Sequence, residues 1–287
     1  MTGNIIINAY ANGVPRQAAR IRDELTALGC KMQIARNDAM SAAVTGGNIE
    51  ISCPPDFCVY LDKDKYVAEM LEKNGVRLFD TARAIAVCDD KMLTHIALSG
   101  SGIPMPDTLP GLLCYDENAP LDKEVLLRVE ERLGYPFVVK LSYGSMGGGV
   151  FLVRDRAEFE KIAKYVQPYP HLFQKYIAAS HGTDMRVIVI GGEVIGGILR
   201  KSDGDFRSNI ALGGTATAVA VPNDIAVLAA RAADIIGLDY CGIDFLLGDT
   251  PLLCEVNSNA FFDAFESATG INVAARYAEH IVEKLRM

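Results

Sequence analysis

The first third of the chain alternates short apolar runs with segments of helical period, an order that few folds accommodate. Apolar runs at residues 4–9, 31–35, 56–61 and 76–79 predict strands. Residues 15–28, stopped by Gly29, and residues 64–73, closed by Asn74-Gly75, carry the spacing of amphipathic helices. This β-α-β rhythm packs as a parallel sheet covered by helices. The first strand is not followed by Gly-x-Gly-x-x-Gly, so a dinucleotide fold is not indicated.

Beyond it, residues 81–99 read as one helix, broken by Gly100-Ser-Gly-Ile-Pro-Met-Pro, an extended connector. A helix at 121–133, strands at 135–141 and 150–153, a helix at 156–166 and a strand at 171–177 follow. The last part is richer in hairpins: strands 185–190 and 193–199 flank Gly191-Gly192. Asp224 is the expected cap of a helix over 225–236. Strands at 239–247 and 252–257 and a helix over 272–285 close the chain. The expected class is α/β, with α+β lobes after the parallel one.

The 287 residues carry 36 acidic against 28 basic side chains, a net charge of −8. With no basic run, that balance argues against a broad nucleic-acid or membrane surface, so cations that bind a polyanion must be gathered at one site. The opening residues have neither the charged nor the long apolar region of a signal peptide, and no apolar run is long enough for a bilayer. Seven scattered cysteines without a Cys-x-x-Cys and only four histidines predict reduced thiols in a cytoplasmic protein rather than a zinc site.

The most informative segment is 239–257. If Gly248-Asp249-Thr250-Pro251 is a four-residue hairpin loop, Leu247 faces Leu252 and, counting outward, Asp244 faces Glu255. Glu255 and Asn257 then share a face. Opposed residues put their Cβ atoms about 5 Å apart, where like charges repel unless a cation lies between them. Two carboxylates and an amide oxygen suit Mg2+, which completes its shell with phosphate and water, or Mn2+ in its place.

Lys140 sits in the apolar run Pro136-Phe-Val-Val-Lys-Leu and, if buried, needs an anion. Directly after it comes Ser142-Tyr-Gly-Ser-Met-Gly-Gly-Gly, with Gly144, Ser145, Gly147 and Gly148, a loop whose free N–H groups can close over phosphates. It lacks the Walker A pattern. Arg186 shares a strand face with Asp184, and Arg207 and Asn209 lie in Gly204-Asp-Phe-Arg-Ser-Asn-Ile before Gly213-Gly214. Arg suits a bidentate grip on phosphate; a loop salt bridge is the plain alternative for Arg207.

Taken in order, these segments resemble the ATP-grasp superfamily and its RimK-like carboxylate–amine (glutamate) ligases. The matches are Asp90-Lys91 before a helix, Val139-Lys140-Leu141 with Gly144-Ser-Met-Gly-Gly-Gly-Val, Gln174-Lys-Tyr-Ile, Gly182-Thr-Asp-Met-Arg, Gly204-Asp-Phe-Arg-Ser-Asn, Gly242-Ile-Asp-Phe and Cys254-Glu-Val-Asn-Ser-Asn. The resemblance implies a parallel pre-ATP-grasp domain over 1–88 and an ATP-grasp domain over 89–287, with a lid lobe at about 104–178 and a metal and substrate lobe at about 179–287. It implies that Lys91 and Lys140 contact ATP phosphates. Gln174, Lys175, Tyr176 and Ile177 form the adenine hinge, and Asp184 and Arg186 lie near the nucleotide. Arg207 and Asn209 sit at the transferred phosphate, while Asp244, Glu255 and Asn257 hold Mg2+. Lys175 departs from the acidic residue frequent there, which leaves adenine to the backbone. The implied activity joins a carboxylate-bearing acceptor to an amine, such as glutamate, through an acyl phosphate. A kinase on the same frame shares the nucleotide site, and an intact carboxylate set argues against a non-catalytic sensor. Homo-oligomers are compatible with the resemblance, although nothing in the sequence marks an interface.

Overall fold

The computed structural model describes residues 1–144, 147–210 and 213–287. In the first lobe, β1 (Thr2–Ile7), α1 (Arg16–Ala27), β2 (Lys31–Arg36), the small hairpin β3 (Ala43–Thr45) and β4 (Asn48–Glu50), β5 (Phe57–Tyr60), α2 (Lys65–Lys73) and β6 (Arg77–Phe79) follow one another. The parallel sheet runs β2-β1-β5-β6. All four residues of β5 are buried, as a strand covered on both faces requires. Alternation sends Ile5, Ile7, Phe57 and Val59 to one side and Ile6, Cys58 and Tyr60 to the other, under α2.

The expected single helix over 81–99 is two, α3 (Ala82–Asp89) and α4 (Lys91–Leu98). Asp90 breaks it, because its carboxylate accepts from the N–H groups of Met92 at 2.9 Å and Leu93 at 3.2 Å. Short acidic side chains prefer this capping geometry to the helix interior. The break makes Lys91 the first residue of α4, with its own N–H donated to the Ser142 carbonyl at 3.1 Å.

The second sheet, order β7-β10-β8-β9, is antiparallel and comprises β7 (Thr108–Pro110), then, after α5 (Lys123–Leu133), β8 (Phe137–Leu141) and β9 (Val150–Val153), and, after α6 (Arg156–Val166), β10 (His171–Lys175). Phe137, Phe159 and Phe173 meet edge to face, with centroids 4.9 to 6.4 Å apart, and lock β8 and β10 onto α6. Because Phe137 and Val139 face this cluster, Val138 and Lys140 face the opposite way.

The third sheet, order β13-β12-β11-β14-β15, contains β11 (Thr183–Ile190), β12 (Glu193–Lys201), β13 (Thr215–Val219), β14 (Tyr240–Leu246) and β15 (Leu252–Asn257). On one face, Met185, Val187, Val189, Cys241, Ile243 and Phe245 pack under α7 (Asn223–Ile236). Asp224 does not cap α7 as expected: the helix begins a residue or two earlier, after Pro222, and Asp224 lies in its first turn. There it favours the positive end of the helix dipole instead. α8 (Asp263–Thr269) and α9 (Val273–Arg286) carry Phe265, Tyr277 and Ile281 into a core shared with Ile5, Ile21 and Phe57, so one apolar cluster joins the first and third sheets.

Replacing Asp90 by Ala should lower unfolding free energy by about 1 kcal/mol, and Asp90→Ser should recover most of it, both measured by urea denaturation.

Candidate active site

A cleft of about 740 Å³ lies where the three sheets meet, and it takes side chains from the polar face of each. Seven of its lining residues are Lys or Arg and five are Asp or Glu, the reverse of the balance in the whole chain.

On the third sheet, Asp244 does face Glu255, but not for the expected reason. Leu246, not Leu247, pairs with Leu252, and Phe245 pairs with Leu253. Continued regularly, that register would set Asp244 against Cys254. A bulge between Asp244 and Phe245 restores the pairing with Glu255. It also explains why Cys254 and Glu255, adjacent in sequence, both line the cleft.

Asp244 is 4% exposed. Arg186 holds both its oxygens, Nε to Oδ1 at 2.6 Å and Nη2 to Oδ2 at 2.7 Å. Arg200, which carries no signal of this role in the sequence, lies beside it with Nη2 2.8 Å from Oδ2. The same guanidinium grips Asp184 at 2.7 and 2.6 Å, and the Ser208 hydroxyl donates to Asp184 as well. Burial pushes the Asp244 carboxyl up, but the two guanidinium groups outweigh it and hold the carboxyl below its ordinary range. For Asp184 burial prevails over Arg200 and the pKa is raised. Asp244 is therefore the carboxylate of the two that the arginines keep ionised, with both oxygens engaged by guanidinium groups.

Glu255 keeps a half-open carboxylate whose nearest cation is Lys91, at 3.5 Å. Asn257 lines the cleft with its Nδ2 3.5 Å from the Gly242 carbonyl. Two carboxylates and an amide oxygen on adjoining strands are a donor set that fits Mg2+ with phosphate completing the shell.

The lysines fit a polyanion. Lys140 is 9% exposed and its Nζ donates to the Cys254 thiol at 3.2 Å, with no carboxylate within 4.0 Å among the described residues. An ammonium so enclosed lacks the counter-charge that burial demands. Lys91 Nζ donates to the Gly144 carbonyl at 2.9 Å and Arg207 Nη1 to the Gly147 carbonyl at 2.8 Å, so two cations grip the Gly-rich loop. Arg207 also makes the local ion pair with Asp205, at 2.7 and 2.9 Å. Gly148, Lys175, Tyr176, Ile177 and Asn209 line the cleft, whereas Ser145 lies outside the described residues. Gln174 lines the cleft as well, with its amide donating to Thr108 at 3.0 Å and meeting His95 Nε2 at 3.1 Å. Burial, reinforced by Lys140, pushes the His95 pKa down to about 4.

Residues 88–281 match the model of the RimK-like ATP-grasp domain. The chain belongs to the RimK-like ATP-grasp family. Human N-acetylaspartylglutamate synthase A is 38% identical over 235 residues, which cover 80% of this chain and 59% of that protein. The RimK-like chain thus spans about three-fifths of the length of the first relatives it matches. A probable alpha-L-glutamate ligase of Stenotrophomonas maltophilia is 36% identical over 225 residues, covering 77% and 74% of the two chains. Among solved structures, the ATP-grasp ligase PsnB, complexed with minimal precursor, Mg and ADP, superposes with a TM-score of 0.71 at 16% identity, over 99% of this chain and 98% of that one. At that identity the likeness is one of fold.

Arg200→Leu leaves the buried Asp184 without a cation and Asp244 with Arg186 alone, and should cost about 3–5 kcal/mol in urea denaturation. His95 stays neutral in the fold while the unfolded chain takes up a proton below about pH 6.5. Its contribution is full above that pH and is lost as pH falls towards 4, about 3 kcal/mol in all. Stability measured against pH should show that limb, and His95→Gln should remove it.

Proposed function

We propose that this chain is an ATP- and Mg2+-dependent carboxylate–amine ligase that adds an amino acid, glutamate in the first instance, to a carboxylate-bearing acceptor. The observation that carries the reading is Lys140: an almost buried ammonium without a carboxylate partner among the described residues, in the same cleft as Asp244, Glu255 and Asn257. Both relatives described above have glutamate in their names, which supports it as the amine.

Lys91 and Lys140 would bind the phosphates. The Lys175 N–H is already donated to the Asp107 carbonyl, so backbone contacts to adenine fall to the residues after it, Tyr176 and Ile177. Asp244, Glu255 and Asn257 would hold the metal, which would supply charge neutralisation for the bound phosphates. A carboxylate oxygen of the acceptor attacks the γ-phosphorus, and the bond to the β-phosphate oxygen breaks to release ADP. The amine nitrogen then attacks the acyl carbon, loses a proton, and inorganic phosphate departs. Arg207 and Asn209 would steady the transferred group by hydrogen bonding, which requires no side-chain nucleophile. Asp184 acts through Arg200 and Ser208 to orient this machinery. The Gly-rich loop, gripped by Lys91 and Arg207, excludes water from the reactive acyl phosphate.

The test supplies Mg-ATP, a panel of carboxylic acids that includes N-acetylaspartate, and hydroxylamine as nucleophile, with mass spectrometry for hydroxamates. An ATP-dependent hydroxamate supports the ligase, whereas a stable phosphorylated product without hydroxamate replaces it with a kinase. Glu255→Gln should lower hydroxamate formation on the order of a hundredfold or more with the fold intact, and Lys140→Ala should raise the KM for ATP. Full activity of Glu255→Gln would overturn the metal assignment.

A further inference from the structure

In the sheet order β2-β1-β5-β6 the chain leaves β1 to one side for β2 and comes back on the other side as β5. That reversal opens a crevice at the carboxyl ends of β1 and β5, the place where open α/β sheets take ligands. Here those ends carry Asn8 after β1 and Leu61-Asp62-Lys63 after β5, and all four line the cleft.

Asp62 is 8% exposed. Its carboxylate accepts from Asn8 Nδ2 at 3.1 Å, from the Lys63 N–H at 2.8 Å and from Asn37 Nδ2 at 2.6 Å. All three donors are neutral. Lys63 sends its ammonium to Asp89 instead, at 2.7 Å, and among the described residues no cationic nitrogen lies within 4.0 Å of Asp62. A carboxylate only accepts, so Asn37 must turn its NH2 towards Asp62. That leaves Asn37 Oδ1 buried without a donor. A buried anion without a cation and a buried carbonyl without a donor, side by side, define a site of strong negative potential. The chemistry it lacks is a compact cation rich in N–H groups, and a primary ammonium offers three donors on one atom.

The position is also right for the reaction. Asn259 Nδ2 donates to the Leu61 carbonyl at 2.9 Å, tying the strand end before Asp62 to the chain two residues past Asn257. The acidic end of the cleft therefore adjoins the Asp244, Glu255 and Asn257 end.

We propose that Asp62, backed by Asn8 and Asn37, binds the primary ammonium of the amine substrate and accepts the proton that its nitrogen gives up before attacking the acyl carbon, and so selects amines that arrive as ammonium ions over uncharged ones. The proposal rests on the ligase reading above. Hydroxylamine is largely neutral near pH 7.5 and bypasses such an ion pair, so two nucleophiles separate recognition from catalysis. With Mg-ATP and the acyl substrate held constant, Asp62→Asn should raise the KM for L-glutamate about tenfold or more, as expected when the ammonium no longer meets a carboxylate. Its hydroxamate formation at saturating hydroxylamine should stay within about twofold of wild type, which also shows that the variant is folded. Asp62→Ser, which keeps a short acceptor for the Lys63 N–H, should behave alike. An unchanged glutamate KM overturns the proposal with the ligase intact. Equal losses with both nucleophiles overturn it too, and mark Asp62 as a structural residue. If wild type gives no hydroxamate, the ligase reading fails and this proposal falls with it.

Discussion

The arrangement of the cleft depends on one buried guanidinium. Arg200, 3% exposed, lies between Asp184 and Asp244 and bonds to both. Through Asp184 it reaches Ser208, which anchors the loop carrying Arg207 and Asn209. Through Asp244 it shares a carboxylate with Arg186 and so fixes the strand that pairs with Glu255. Two arginines and two aspartates balance in charge, but taking four ions from water is costly, and an apolar set of similar volume would fold as well. What such a set would not do is keep Asp244 ionised and aimed. The network is better understood as positioning than as stabilisation.

Around that centre the charge distribution is uneven. The chain carries −8 overall, yet its cleft collects Lys63, Lys91, Lys140, Lys175, Arg186, Arg200 and Arg207. An acidic exterior repels polyanions in general, while a cationic cleft with low-dielectric walls focuses its field on one entrance. The placement of the cations, rather than the net charge, decides where on the molecule an anion is attracted.

Much of this was legible in the sequence, because strand and helix periods survive wherever one face of an element is buried. The parallel lobe, the Gly-rich loop after Lys140 and the pairing of Asp244 with Glu255 could all be read. The last was reached through two errors that cancel, a hairpin turn one residue longer than assumed and a bulge that gives the residue back. Bulges leave no mark in hydrophobic pattern, since an added residue in Leu-Leu-Cys-Glu-Val looks like regular strand. The helix break at Asp90 was hidden because α3 and α4 share one apolar period, although the Asp itself is a capping signal. Arg200 was missed because Arg200-Lys201 at a strand end resembles a solvated pair. Asp62 was missed likewise, in Asp62-Lys-Asp-Lys. Only the tertiary fold shows that one member of each charged run points inward.

The loop attachments show how binding and closure are linked. Lys91 and Arg207, both facing the cleft, donate to the carbonyls of Gly144 and Gly147. A carbonyl is a neutral acceptor, and a phosphate oxygen makes a shorter bond with about twice the strength to the same donor. A polyphosphate bound in the cleft would compete for the two cations that hold the loop, and its oxygens could accept hydrogen bonds from loop N–H groups. Such an exchange would replace two cation–carbonyl bonds with cation–phosphate bonds, so the two cations that fix the loop are the ones a bound phosphate would draw on.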